Sequence, residues 1–248
     1  MNPAEFDNIA AAERDLWWYR GQRAILRRFL APFVKPGPAL VLEAGCGTGY
    51  NAKMLSKEYG WRMVPLDLGL EGLKHARRYG VERLCQGDIA ALPFASAAFD
   101  VVASLDAIVH FPLGLESVAF GELARVLKPG GLFVVRVSAL DALRSRHSIH
   151  ASERQRFTRA RLVRCVDDAG LRVLRCSYAN SLLLPVALFK FRVWEPLTKA
   201  PAASGVTPVA PWLDGLLHGA LRAESAMVGA GVDLPVGQSL VLVARRQG

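Results

Sequence analysis

Cysteine is scarce in this chain: four among 248 residues, at Cys46, Cys85, Cys165 and Cys176, with no CxxC pair and no paired histidine spacing. That scarcity excludes a disulfide framework and a structural zinc site, and no metal is expected. Long apolar runs are missing too. The longest one near the C-terminal half, Ser181 to Phe189, contains Pro185 and ends at Lys190, well short of the roughly 20 apolar residues that cross a bilayer. Glu5, Asp7 and Glu13 stand before any apolar run, so no secretory leader is expected and a cytoplasmic protein is. There is no repeat at a 20–50 residue period and no low-complexity tract. Negative charge is in short supply as well: 22 Asp and Glu against 31 Lys and Arg leave a net charge of +9. Much of the excess falls on Arg144, Arg146, Arg154, Arg156, Arg159, Arg161, Arg164, Arg172 and Arg175. Such a stretch is either a solvated helix face or a surface for phosphates, an anionic membrane surface or an acidic substrate. Aromatic residues do not alternate with these arginines as a base-stacking platform requires.

What is present is a core. Hydrophobic residues make up 52% of the chain and charged residues 21%, which excludes disorder. Apolar strands alternate with helical stretches, the pattern of an α/β fold with a mostly parallel sheet and helices on both faces. Strands are expected at 39–44, 61–67, 82–85, 99–105, 132–138, 171–177 and 239–245. Helices are expected at 50–59, 69–79, 115–127 and 158–169, the third stopped by Lys128-Pro129-Gly130-Gly131. The expected organisation is a single domain: an N-terminal helical lid over 1–36, a core over 37–177, an inserted helical cap over 178–237, and the last strand within 238–248. The insertion carries a loop with Pro196, Pro201, Pro208 and Pro211. Its Leu182, Leu183, Leu184, Phe189, Phe191 and Trp194 read either as an apolar wall around a small or lipid-like ligand or as ordinary packing.

The chemistry centres on Val41-Leu42-Glu43-Ala44-Gly45-Cys46-Gly47-Thr48-Gly49-Tyr50, a strand running into alternating glycines and then a helix. Glycines there let the backbone approach a ligand and adopt positive φ, and the helix start offers free N–H donors. A dinucleotide fingerprint would carry its third glycine at position 50. Tyr50 stands there instead and argues against a pyrophosphate. Two further carboxylates end strands: Asp67, placed to accept ribose hydroxyls, and Asp88, placed to meet an adenine amino group or simply to cap a helix.

These residues bring a resemblance into view. VLEAGCGTGY at 41–50, VPLDLGLEGLKHAR at 64–77, GDIAALPFASAAFDVVASLDAIVHFP at 87–112 and LARVLKPGGLFVV at 123–135 resemble the class I S-adenosylmethionine-dependent methyltransferases, in the ubiquinone-biosynthesis-like superfamily. The resemblance covers residues 39–138. It implies a Rossmann-like doubly wound seven-stranded sheet in the order 3-2-1-4-5-7-6 with the last strand antiparallel. The expected cofactor is S-adenosyl-L-methionine, with S-adenosyl-L-homocysteine as product. Gly45, Cys46 and Gly47 would line its methionine part, with Glu43 towards its ammonium group. Asp67 would hold the ribose and Leu68 would pack on the adenine. Asp88 and Ile89 would meet the adenine edge, and Leu105 and Asp106 would sit beside the sulfonium.

A sulfonium methyl is already activated, so alignment of nucleophile, methyl and sulfur is the main demand. A protic acceptor also needs a base, and imidazole suits working pH. His110, just past the fourth strand, is the first candidate; His147 and His150 follow. The N-terminal helix is expected to bring Tyr19 and Arg20 over the cofactor, while Trp17 and Trp18 serve packing. Asp106-Ala107-Ile108-Val109 lacks the Asn/Asp-Pro-Pro-Tyr type of sequence that positions base nitrogens, which weighs against nucleic acid as partner. The expected activity is methyl transfer to a small-molecule acceptor, at oxygen ahead of nitrogen, in secondary-metabolite, quinone, lipid or sugar biosynthesis. A tRNA or rRNA methyltransferase and a non-catalytic cofactor-binding subunit are the alternatives. A monomer or homodimer with possible membrane-surface contact completes the expectation.

Overall fold

Val41, Leu42, Ala44, Val102 and Ala103 are all buried, as a strand covered on both faces requires. The structure is a computed structural model that describes residues 3–198, 201 and 204–248. Among the described residues the strands are β1 (Leu40–Ala44), β2 (Arg62–Asp67), β3 (Cys85–Gln86), β4 (Phe99–Leu105), β5 (Leu127–Ser138), β6 (Leu171–Ala179) and β7 (Ser239–Arg246). They form one sheet in the order 3-2-1-4-5-7-6. The first five strands pair in parallel, and β7 runs antiparallel to both β5 and β6. This is the order the resemblance implies.

The helices are α1 (Pro3–Ala12), α2 (Trp17–Leu30), α3 (Tyr50–Tyr59), α4 (Leu70–Arg78), α5 (Glu116–Val126), α6 (Arg146–His150), α7 (Arg159–Asp168), α8 (Leu184–Phe189), α9 (Glu195–Thr198) and α10 (Pro211–Gly229). Right-handed crossovers carry α3 and α4 over one face of the sheet and α5 over the other. The chain therefore reverses direction across the sheet between β1 and β4. The carboxyl ends of those two strands are where open α/β sheets bind ligands.

Several boundaries differ from the sequence reading. The third strand is Cys85–Gln86 instead of 82–85, because Arg83 adopts φ +54° and breaks the extension. Asp88 therefore does not end a strand; it caps a short 3₁₀ turn, its Oδ1 accepting the Ala90 N–H at 2.8 Å. β5 starts at Leu127, which pairs with Phe99 before the chain bulges and the register resumes at Val101 opposite Leu132. β6 runs two residues further, to Ala179.

Within the 178–237 insertion, α8 continues through a π turn (Lys190–Trp194) into α9, and Leu184, Ala187 and Phe191 pack on Leu140 and Leu143. Residues 199–200 and 202–203 of its proline-containing loop, and residues 1–2 of the N-terminal segment, lie outside the described residues. α10 lies along α2, so close that a Cβ on Gly21 would fall 2.1 Å from Leu221. Buried Glu224 anchors α10 to the sheet: its carboxylate accepts the N–H groups of Asn180, Ser181 and Leu182 just past β6.

Candidate functional site

The turn after β1 is built for close approach. Gly45 has φ +80°, and a Cβ there would lie 2.2 Å from the Ala107 Cβ. Any side chain would therefore separate the β1 and β4 ends. Gly49 does the tight packing against α4 that the third glycine does in a dinucleotide site: its Cβ would meet Ala76 at 2.4 Å. Tyr50 turns outward, edge-on to Tyr79 at 5.5 Å, with the Arg23 guanidinium over its ring at 4.7 Å.

Carboxylates converge on this turn. Glu43 is buried beneath it, and its Oε2 has no hydrogen-bond partner. Burial pushes its pKa up to about 8; nearby Glu13 and Asp67 add to the rise and Arg136 opposes it. Asp67, at the end of β2, accepts the Gly47 N–H on Oδ2 and the Gly69 N–H on Oδ1, each at 2.7 Å. Each oxygen retains a lone pair. Asp106 leaves β4 at φ +61° and accepts from Arg136 Nε and Nη2 at 2.9 and 2.6 Å. Positive φ recurs at Leu140, just past β5, and at Asn180, just past β6. Non-glycine residues held there are rare and gather at functional strand ends.

The α1 helix closes over the glycine turn. Phe6 reaches to about the Cβ positions of Gly69 and Gly72, and the Tyr79 hydroxyl donates to the Ala10 carbonyl at 3.0 Å. Just beyond α1, Glu13 accepts from the Thr48 hydroxyl at 2.7 Å. Burial raises its pKa, against the Thr48 hydrogen bond. Glu5 is fully buried, with His150 Nε2 at 3.2 Å, His147 Nδ1 at 3.7 Å and the Ser204 hydroxyl at 2.9 Å. Tyr19 is set between these groups. Burial drives its hydroxyl well above the ordinary tyrosine value, and the negative Glu13, Glu5 and Asp106 push the same way.

The sequence-predicted residues fall into three sets. Glu43, Gly45, Cys46, Gly47, Asp67, Leu105, Asp106 and Tyr19 gather around the turn and the β4 end. Cys46 is buried, and burial raises its thiol pKa, so it stays protonated. Exposed Leu68 and capping Asp88, with Ile89 buried beside it, form the rim past β2 and β3. Arg20 stands apart, because its guanidinium is held by Asp214 of α10, which also accepts the Trp17 N–H.

The histidines divide by hydrogen bonding. His110 Nδ1 faces the Ser152 carbonyl at 3.1 Å, which places its proton on Nδ1 and leaves Nε2 able to accept one. His147 Nδ1 accepts the Gly205 N–H at 3.0 Å, and burial lowers its pKa. Its proton therefore sits on Nε2, and Nδ1 is engaged. His150 Nε2 lies 3.2 Å from Glu5 Oε2 but is buried without a hydrogen-bond partner.

Glu5, Glu13, Thr48 and Arg136 were missed by the sequence reading. Only Arg136 carried a signal, as a lone charge in the apolar strand Leu132–Ser138. Most of the arginine-rich stretch turns out to be internally bonded. Arg144, Arg146, Arg156, Arg161 and Arg175 hold Asp141, Glu195, Glu153, Glu116 and Asp233 respectively.

An orphaned buried carboxylate, a glycine turn with no room for a side chain at Gly45 or Gly49 and an acid at the end of β2 suit a cationic nucleoside. S-adenosylmethionine, with its ammonium and sulfonium groups, fits that donor set. Residues 42–135 match a methyltransferase domain family. A malonyl-acyl-carrier protein O-methyltransferase of Enterobacter lignolyticus is 35% identical over 195 residues, 75% of this chain and 76% of the relative. A second enzyme of that name, from Methylovorus sp., is 35% identical over 185 residues, 68% of this chain and 60% of its own length. A sterol 24-C-methyltransferase of Schizosaccharomyces pombe is 38% identical over 109 residues, 41% of this chain and 28% of that enzyme. The chain thus spans less than two thirds of the latter two. A chain in the complex between the Haloferax volcanii Trm112 methyltransferase activator and a methyltransferase shares the fold at TM-score 0.65, with 23% identity over 98% of both chains. So does geranyl diphosphate C-methyltransferase of Streptomyces coelicolor, in complex with S-adenosyl-L-homocysteine, at TM-score 0.58 and 17% identity over 89% of this chain and 78% of that one.

The fold and the match to these relatives define a doubly wound methyltransferase. The chain belongs to the class I S-adenosylmethionine-dependent methyltransferases, and S-adenosylmethionine is its cofactor.

Proposed function

We propose that this chain transfers a methyl group to an oxygen of a small-molecule acceptor. The observation that carries the proposal is the proximity of His150 to fully buried Glu5, with Nε2 3.2 Å from the carboxylate. A base backed by a buried carboxylate suits an acceptor that must lose a proton. The two O-methyltransferase relatives support the choice of oxygen.

The cofactor supplies a methyl already activated by positive sulfur. Glu43 would accept from its ammonium group, which gives the orphaned Oε2 a partner. Asp67 would accept the ribose hydroxyls on its remaining lone pairs. Leu68, Asp88 and Ile89 would flank the adenine, and Leu105 and Asp106 the sulfur. Tyr19, its hydroxyl kept protonated by burial and neighbouring acids, would act as a hydrogen-bond donor and not as a base. Glu5, 3.2 Å from His150 Nε2, would favour a proton on that nitrogen and leave Nδ1 to accept one. His110 Nε2 is the second candidate base, and His147 would only position the 204–206 segment. The α1 helix, which lies over the glycine turn, would exclude water from the site.

The test is calorimetry with S-adenosylmethionine, followed by turnover with hydroxyl- and carboxyl-bearing acceptors. Cofactor binding together with release of S-adenosylhomocysteine is expected. No binding by the folded protein would overturn the reading of the site, and turnover confined to amine acceptors would overturn the choice of oxygen.

A further inference from the structure

The helix running from Leu184 through the π turn to Thr198 is apolar on two opposite faces. Leu184, Ala187 and Phe191 cover Leu140 and Leu143. Val186, Phe189, Val193 and Leu197 recur at helical spacing on the other face, all exposed, Phe189 at 59% and Leu197 at 73%. Trp194 adjoins them at 58% exposure. An apolar helix face is ordinarily covered, yet this one is open to solvent. Lys190 and Arg192 sit exposed within the same stretch, on a chain with net charge +9. Apolar and aromatic side chains on one helix face with Lys and Arg beside them mark helices that lie in a bilayer interface. A second copy of the chain would set these cations against their own kind, whereas anionic headgroups would pair with them. Among the described residues no helix is long and apolar enough to cross a membrane, so contact would be at the surface.

The position of the helix relates it to the site. Glu195 accepts the Arg146 backbone N–H at 3.0 Å and its carbonyl accepts from the Arg146 guanidinium, which fastens α9 to the start of α6, the helix carrying His147 and His150. A lipid-bound face here would hold the candidate base next to the bilayer surface.

We propose that the exposed face of residues 186–197 docks on an anionic lipid bilayer, so that the site receives a lipid-like acceptor from the membrane surface. The docking stands by itself; the acceptor class rests on the methyl-transfer reading above.

Vesicle co-sedimentation with the full chain tests the docking. Binding is expected to phosphatidylcholine vesicles containing phosphatidylglycerol, weaker without it and weaker at high salt. The double variant Phe189→Ser/Leu197→Ser should bind at least about tenfold more weakly, since it removes two of the apolar side chains that would be buried in the bilayer interface. Its S-adenosylmethionine affinity should match that of the parent chain. If the double variant fails to fold, Trp194→Ser and a Lys190→Glu/Arg192→Glu pair give the same readout. No vesicle binding, or binding that none of these substitutions alters, would overturn the proposal. So would a dimer dissociated by the double variant in a protein that ignores vesicles, because the face would then be covered by a second copy. Vesicle binding by a protein that does not bind S-adenosylmethionine would leave the docking intact and sink only the methyl-transfer reading.

Discussion

Arg136 donates through Nε and Nη2 to one oxygen of Asp106, and its backbone carbonyl accepts the Asp106 N–H at 2.8 Å. The two residues thereby tie the carboxyl ends of β4 and β5 together where β4 turns away at positive φ. Arg136 is 7% exposed there, among Glu43, Asp106 and Tyr19. A charge so placed offsets the acids around it, which would otherwise repel one another in a poorly solvated crevice.

Arg136→Met should therefore keep the fold but lose the clamp. Loss of a charged hydrogen-bonded pair costs about 1.5–3 kcal/mol, so the unfolding free energy in urea should fall by about that amount. Unchanged stability would mean that the strand ladder alone holds the β4 end.

Glu43 gives a pH signature. Its carboxyl titrates near 4.5 when unfolded and near 8 when folded, so the folded protein holds a proton that the unfolded chain has released. The contribution of this group to stability is present below about pH 4.5 and is lost as pH rises through about 8. In the absence of cofactor, Glu43→Gln should thus remove a decline in Tm over that range. The proposed contact with the cofactor ammonium group favours the ionised carboxylate, so affinity in the parent chain should rise from about pH 6 to about 8. The variant should show a flat profile and, above pH 8, an affinity about 10–100-fold lower. Calorimetry across pH checks both.

Asp67 holds the two halves of the cofactor turn through Gly47 and Gly69. Asp67→Ala frees both N–H groups and removes the proposed ribose acceptor, so S-adenosylmethionine should bind at least about tenfold more weakly. The circular dichroism spectrum should not change. An unchanged dissociation constant would reassign the second-strand acid to turn structure alone.

His150→Ala should lower kcat by about 10²–10⁴-fold, the usual contribution of a positioned base, with cofactor affinity preserved. Glu5→Gln should lower kcat less and shift the pH–rate profile, because it leaves the imidazole in place without its carboxylate. If His110→Ala instead produces the larger loss, the base is the imidazole facing Ser152.

The alternation of apolar strands with helices, the glycine turn at 45–49 and the acids at 43 and 67 were legible in the sequence because each is a local pattern. Periodicity marks a strand or helix whatever lies beyond it, and a glycine turn needs only its own backbone freedom. The ends of elements were less legible: the positive φ of Arg83 shortened the third strand, and a bulge let β5 begin at Leu127. Side-chain partnerships were not legible at all. Glu5 meets His147 and His150 only because α1 folds back over α4 and α6 docks on the other side, and Arg20 turns to Asp214 only because α10 lies along α2. Such contacts depend on how separately formed elements bury their apolar faces against one another. The sequence by itself therefore determined the strand–helix order and the cofactor turn, while tertiary packing decided which buried charges face each other across the site.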